Sequence, residues 1–279
     1  MGGEEQMDRR SVLSCLGLFA LPTPSRAGER LREFSPTVAG TQDLDHRGFG
    51  DLLHRYVRTS RDGVNRVDYG AWRSSAAGLA ALHSYLAMLQ TETPQALTRD
   101  AQLAYWANLY NAETLRIVLA AWPVKTILSI RPTLLSIGPW KKATLAVGGV
   151  TLSLDDIENG ILRPQFLDPR VHYALNCAST SCPNLNVIPW QGATMNRDLD
   201  AAAKAYVNHP RGVVAAGEGL RLSTIYKWYR ADFGGDDAGV LGHIARFAAP
   251  PLRQRLAARP RIVAYAYDWS LNGVEADPR

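Results

Sequence analysis

The chain has 279 residues, 46% of them hydrophobic, and 31 Lys and Arg stand against 26 Asp and Glu for a formal charge of +5. That length and apolar content can bury a core in one large or two modest domains. The cations are scattered, with no block of five or more like charges, which argues against a nucleic-acid arm and against nucleic acid as a partner.

Residues 1–27 read as an export signal of twin-arginine type. Arg9-Arg10 precede a ten-residue apolar run, Val12 to Leu21, followed by Pro22, Pro24 and a small-residue cleavage site at Ser25-Arg26-Ala27. A permanent helical span needs about 20 apolar residues, so the expectation is a processed periplasmic or secreted protein without a permanent transmembrane anchor. Met7 is an alternative start, and Cys15 belongs to the leader. The polar stretch 28–48, with Pro36 and Gly40, reads as a linker or arm, and 49–279 as a single α+β domain.

In chain order, a helix is predicted over Phe49–Val57, then a turn at Asp62-Gly63 and a short strand over Val64–Tyr69. A second helix covers Ala76–Gln90. A third starts at Thr98, with Asp100 in its first turn, and stops at Trp122-Pro123. Asn108 and Asn111 share a face of this otherwise apolar helix. Buried amides need partners, so the pair reads as the anchor of a neighbouring loop or the wall of a polar site.

Thr144–Val147, Gly148-Gly149 and Val150–Leu152 spell a tight hairpin. Ser153 then caps a short helix over Leu154–Arg163, in which Glu158 either pairs with Arg163 or turns inward. Val171–Cys177 alternates as a strand, putting His172 and Cys177 on opposite faces unless a bulge or turn re-aims the thiol. Beyond it lie a helix over Asn196–Asn208, a hairpin around Gly217-Glu218-Gly219, and a helix over Thr224–Phe233 capped by Ser223. Two helices near Val240–Phe247 and Pro251–Ala257 and a last strand over Ile262–Trp269 follow.

The stretch His172 to Asn184 gathers the most chemistry. It holds a histidine and both cysteines outside the leader, Cys177 and Cys182, among hydroxyl and amide side chains. A thiol nucleophile needs a base and oxyanion donors, which these residue types supply. Equally, two cysteines in an exported protein can form a small disulfide loop beside a structural histidine.

Four segments, Tyr105-Trp106-Ala107-Asn108-Leu109-Tyr110-Asn111-Ala112, Leu154-Asp155-Asp156-Ile157-Glu158, His172-Tyr173-Ala174-Leu175-Asn176-Cys177 with Cys182-Pro183, and Lys227-Trp228-Tyr229, resemble the signature of the family catalogued as domain of unknown function 547, DUF 547. The resemblance covers about Tyr105 to Phe233. It implies kinship with papain-like and transglutaminase-like thiol enzymes, in which helices pack on a small antiparallel sheet, here in permuted order. On that basis Glu158 orients His172, and His172 activates Cys177. Asn108, Asn111, Cys182 and Lys227 support the site. The familiar pattern has His where this chain has Asn159.

The leading expectation is an exported cysteine-dependent hydrolase or acyltransferase acting on an amide or thioester-like bond of a small molecule or peptide. Asn176 or backbone amides then serve as oxyanion donors, and no cofactor is needed. The alternative is a non-catalytic binding or scaffolding module stapled by a Cys177–Cys182 disulfide. Metal ligation by His172, Cys177 and Cys182 is a weaker idea, because no C-x-x-C or H-E-x-x-H spacing is present, and no metal set is expected.

Overall fold

The computed structural model describes residues 30–36 and 40–274. The segment predicted as an export signal, with Arg9, Arg10 and Cys15, lies outside the described residues. Among those described, no helix is long and apolar enough to cross a membrane.

The fold is α+β and is arranged around one helix, α4. In order, α1 (Arg47–Tyr56) runs into β1 (Val57–Thr59), β2 (Asn65–Val67), α2 (Tyr69–Ser74), α3 (Ala76–Thr91) and α4 (Arg99–Ala121). Then come β3 (Leu145–Val147), β4 (Val150–Leu152), a π-helical segment (Asp156–Phe166), α5 (Val171–Ala174) and α6 (Met195–Val207). The chain ends with β5 (Val213–Ala216), β6 (Gly219–Ser223), α7 (Ile225–Trp228), α8 (Asp237–Phe247), α9 (Pro250–Ala257) and β7 (Ile262–Ala266).

Every residue of α4 from Ala101 to Leu115 is buried, as a helix apolar all round must be. Its N-terminus is capped by the Thr98 hydroxyl, which accepts from Ala101 N. Around it pack α2, α3, α6, the π segment and the turn at Gly192–Thr194. The last of these approaches closely because Gly192 has no side chain: a Cβ there would lie 2.8 Å from Ala101 Cα and 2.9 Å from its Cβ. Gly192→Ala is therefore expected to destabilise by about 1–3 kcal/mol through forced backbone displacement, read as a lower urea midpoint with an unchanged slope.

Three small sheets surround this bundle. Val57 pairs with Val67 in the first and Leu145 with Leu152 in the second, both antiparallel. The β3–β4 turn uses Gly148 (φ 54°) and Gly149 (φ 73°), the positive dihedrals that a two-residue hairpin demands. The third sheet is β5-β6-β7. Its β5–β6 pair is antiparallel, whereas β6 and β7 run parallel, which departs from a purely antiparallel sheet. Part of the predicted arm packs too, since Phe34 is buried edge-on against Trp106 at 5.1 Å.

Two predicted elements differ. Val171–Cys177 is not a strand, because its first four residues form the single turn of α5. Asp168 Oδ1 accepts from Arg170 N, and backbone bonds from Val171 N to Asp168 O and from Tyr173 N to Arg170 O close the turn. Asp-Pro at 168–169 is a helix-start signal that outweighs the alternation behind it. The helix predicted over Thr224–Phe233 stops at Trp228. Beyond it, turns from Asp232 N to Tyr229 O and from Gly235 N to Arg230 O redirect the chain.

Candidate functional site

Asn108 and Asn111 do what buried amides at one face require. Asn108 donates to Trp190 O (2.8 Å) and accepts from Trp190 N (3.0 Å). Asn111 donates to Ala174 O (2.9 Å) and accepts from Asn176 N (2.8 Å). Asn111 thus fastens the end of α5 and the start of the cysteine loop to the central helix, and Asn108 fastens the backbone at Trp190.

From there the loop is held on its other side by the C-terminal segment. Thr180 N donates to Ser270 O (2.8 Å), and Asn272 N donates to Ala178 O (3.1 Å). Ala178 has φ 61°, a left-handed conformation costly for a residue with a Cβ, and its N–H is caught by Asn176 Oδ1 at 2.9 Å. Asn176 also donates to Pro183 O (2.7 Å) and accepts from Asn272 Nδ2 (3.3 Å). Its amide thus shapes the loop, and it does not line the cavity as an oxyanion donor would.

Inside the loop, Cys177 and Cys182 are joined as a disulfide, with their Cα atoms 6.1 Å apart. Tyr267, a residue that the sequence did not single out, touches both sulfurs: its hydroxyl is 3.1 Å from Cys177 Sγ and 3.3 Å from Cys182 Sγ. The Cys177 N–H points at Cys182 Sγ at 2.8 Å, and the Ser179 hydroxyl lies 3.3 Å from Cys177 Sγ.

His172, Glu158 and both cysteines line one cavity of about 20 Å³, closed by Tyr110, Trp228, Tyr229 and Tyr267, room for about one water. His172 Nε2 is 2.7 Å from Asp232 Oδ2. A carboxylate only accepts, so Nε2 carries the hydrogen and Nδ1 of the neutral ring is the basic nitrogen. Burial pushes the His172 pKa down against the opposing pull of Asp232 and Glu158, which keeps the ring neutral at physiological pH. Tyr229 stacks on the imidazole with centroids 4.0 Å apart.

The carboxylate bonded to His172 is that of Asp232, where Glu158 was expected. Glu158 is buried and accepts from the hydroxyls of Tyr110 (3.1 Å) and Tyr229. Asp232 is gripped bidentately by Arg163, at 2.5 Å from Nε and 2.9 Å from the second nitrogen. Burial would raise its pKa, but the hydrogen bonds from His172 and Arg163 outweigh that and hold the carboxyl well below the usual range. Asn159 accepts from Arg163 (2.6 Å) and donates to Asp155 (2.8 Å), bracing the arginine from behind. Lys227 is exposed on α7 and does not line the cavity.

Asp232 sits sixty residues beyond His172, in a run of turns that no periodicity marks. The signals that could have found it were its place in the aromatic run Tyr226–Phe233 and the need of a buried histidine for a carboxylate. Among the described residues no group of three or more His, Cys, Asp or Glu side chains is placed to hold a metal ion.

No curated protein and no solved structure matches the chain. A family model does match, beginning before α4 and ending with α6, so that Asn108, Asn111, Glu158, His172 and both cysteines fall inside it while Asp232 and Tyr267 fall outside. The segment 94–207 matches the family described as "Protein of unknown function, DUF547".

Proposed function

We propose that the cavity is a cysteine-dependent acyl-transfer site, a hydrolase or transferase for an amide or thioester-like bond, in a protein exported to an oxidising compartment. The observation that carries this is the Asp232–His172 pair, whose imidazole lines the same small cavity as Cys177. In the reduced form, His172 Nδ1 takes the Cys177 thiol proton and the sulfur attacks the carbonyl carbon. The proton then passes to the departing amine or thiol, and water or a second acceptor releases the acyl group from sulfur. Asp232 orients the ring throughout, and Arg163 holds Asp232.

With the disulfide closed, Cys177 is not a nucleophile and the cavity admits a water but no acyl chain. The active form is therefore the dithiol, made by two successive exchanges with external thiols, two of which leave joined as their own disulfide. That same bond favours a second reading, a binding or scaffolding module in which Cys177–Cys182 is a staple. For so short a loop the chain-entropy contribution is about 2 kcal/mol.

The two separate in one experiment. After reduction, iodoacetamide is expected to alkylate Cys177 ahead of Cys182 at neutral pH, with the rate falling about tenfold or more in His172→Ala. Alkylation of both cysteines alike, with no dependence on His172, together with a lower melting temperature in Cys177→Ala, would sink the enzyme and leave the staple.

A further inference from the structure

An open groove of about 280 Å³ has walls that include Ser181, Arg211, Arg221, Tyr267 and Asp268. Tyr267 is shared with the disulfide cavity, and Ser181 belongs to the cysteine loop.

Of the buried and half-buried arginines, 66, 116, 163 and 170 each meet a carboxylate within 2.5–2.7 Å, and Arg255 donates to the carbonyls of Gly217 and Gly219. Arg211 also meets neutral acceptors. It donates to Thr180 O (3.2 Å) and to Asn184 Oδ1 (2.7 Å), lies over the Tyr206 ring at 5.5 Å, and leaves its Nε buried without an acceptor. Asp62, the nearby carboxylate, is taken by Arg66 with two hydrogen bonds. Burial of the Arg211 cation pulls its pKa down, against the smaller opposing pull of Tyr206, Tyr267 and Asp62.

Arg221 projects from β6 between the buried Leu220 and Leu222 and is exposed. The one acidic wall residue, Asp268, spends an oxygen on Ser270 N (2.8 Å). Two guanidinium groups against one carboxylate leave the lining with a net positive charge of one. A half-buried cation held in place by neutral groups, next to a second exposed one, is completed by an anion entering from solvent.

The geometry points to this groove as a binding site for an oxyanionic group, a carboxylate or a phosphate, gripped between Arg211 and Arg221. Its role as the anchor for an anionic part of the acyl-transfer substrate rests on the function proposed above, whereas binding itself does not.

Titration calorimetry on the oxidised full chain at low ionic strength, with inorganic phosphate in one arm and succinate in the other, tests it without any catalytic step. Saturable binding of at least one probe is expected, and the preferred probe identifies the ligand class. Arg221→Gln, a change at an exposed position, should weaken it about three- to tenfold, and Asp268→Asn should strengthen it. Arg211→Lys, with folding checked by melting temperature, should weaken it too, because a point charge replaces the fork. The proposal is overturned if neither probe binds saturably or if Arg221→Gln binds as the wild type does. It is also overturned if Lys141→Gln with Lys142→Gln, exposed positions that do not line the groove, weakens binding as much as Arg221→Gln, since that would mean diffuse charge alone.

Discussion

Asn108→Ala is expected to lower the unfolding free energy by about 3–5 kcal/mol, more than truncation of an average core residue. The substitution removes a side chain that both donates to and accepts from Trp190, and it leaves a backbone N–H and C=O facing a fully buried helix. Each orphaned group costs about 1–3 kcal/mol. For a chain of this size that is a fall in melting temperature of roughly 8–15 °C. The loss should also reach the cavity, because Trp190 Nε1 donates to the same Ala174 carbonyl that Asn111 holds. Thermal unfolding of Asn108→Ala beside Asn108→Asp separates the contributions, since the carboxylate keeps the acceptor for Trp190 N and loses the donor. A shift of less than about 1 kcal/mol would mean that water replaces the amide at this position.

Acidification from pH 7 to pH 4 is expected to cost several kcal/mol before most carboxylates titrate. Burial pushes His46 and His243 down to about 4 from an ordinary 6.5. His46 is held neutral with Nδ1 at 2.7 Å from the Tyr85 hydroxyl, and His243 Nε2 lies 2.9 Å from the Tyr173 hydroxyl. Between the unfolded and folded values the unfolded chain binds more protons, so stability rises with pH. The contribution is complete above about 6.5 and is lost as pH falls toward about 4. Each histidine can supply up to about 3 kcal/mol across that window. His172 shifts in the same direction, and Asp232, depressed by its partners, adds its loss at lower pH as its carboxyl protonates. Urea midpoints at pH 7, 5.5 and 4 should fall in order, and His46→Gln should flatten part of the slope. A midpoint unchanged between pH 7 and pH 5 would show these rings protonated in the fold.

What could be read from the sequence was whatever is encoded locally. Thr98, the largely apolar run behind it and Trp122-Pro123 located α4 to within a residue or two. Gly148-Gly149 located the β3–β4 hairpin, and the pairing of two amides on an apolar helix predicted that Asn108 and Asn111 would fasten a loop. Where long-range contacts decide, local pattern failed. Val171–Cys177 has the alternation of a strand, yet Asp168 nucleates a helical turn and Asn111 captures the backbone on leaving it. The family resemblance gave Glu158 as the partner for His172. The turn after α7 instead swings Asp232 onto the ring, and only the fold brings these two positions together.

The π segment has a further consequence. Its i→i+5 repeat brings residues five apart toward a common face, and both Glu158 and Arg163 converge on Tyr229, one accepting from its hydroxyl and the other lying 4.8 Å over its ring. In an ordinary helix those two positions would diverge. The spacing between carboxylate and arginine is thus written into the length of the segment as much as into its residues. A single-residue deletion between them, letting the wide turns relax to α, would leave Glu158 and Arg163 four apart and still on one face. Chains that share this site can therefore reach the same convergence with an ordinary α-helix one residue shorter between the two positions.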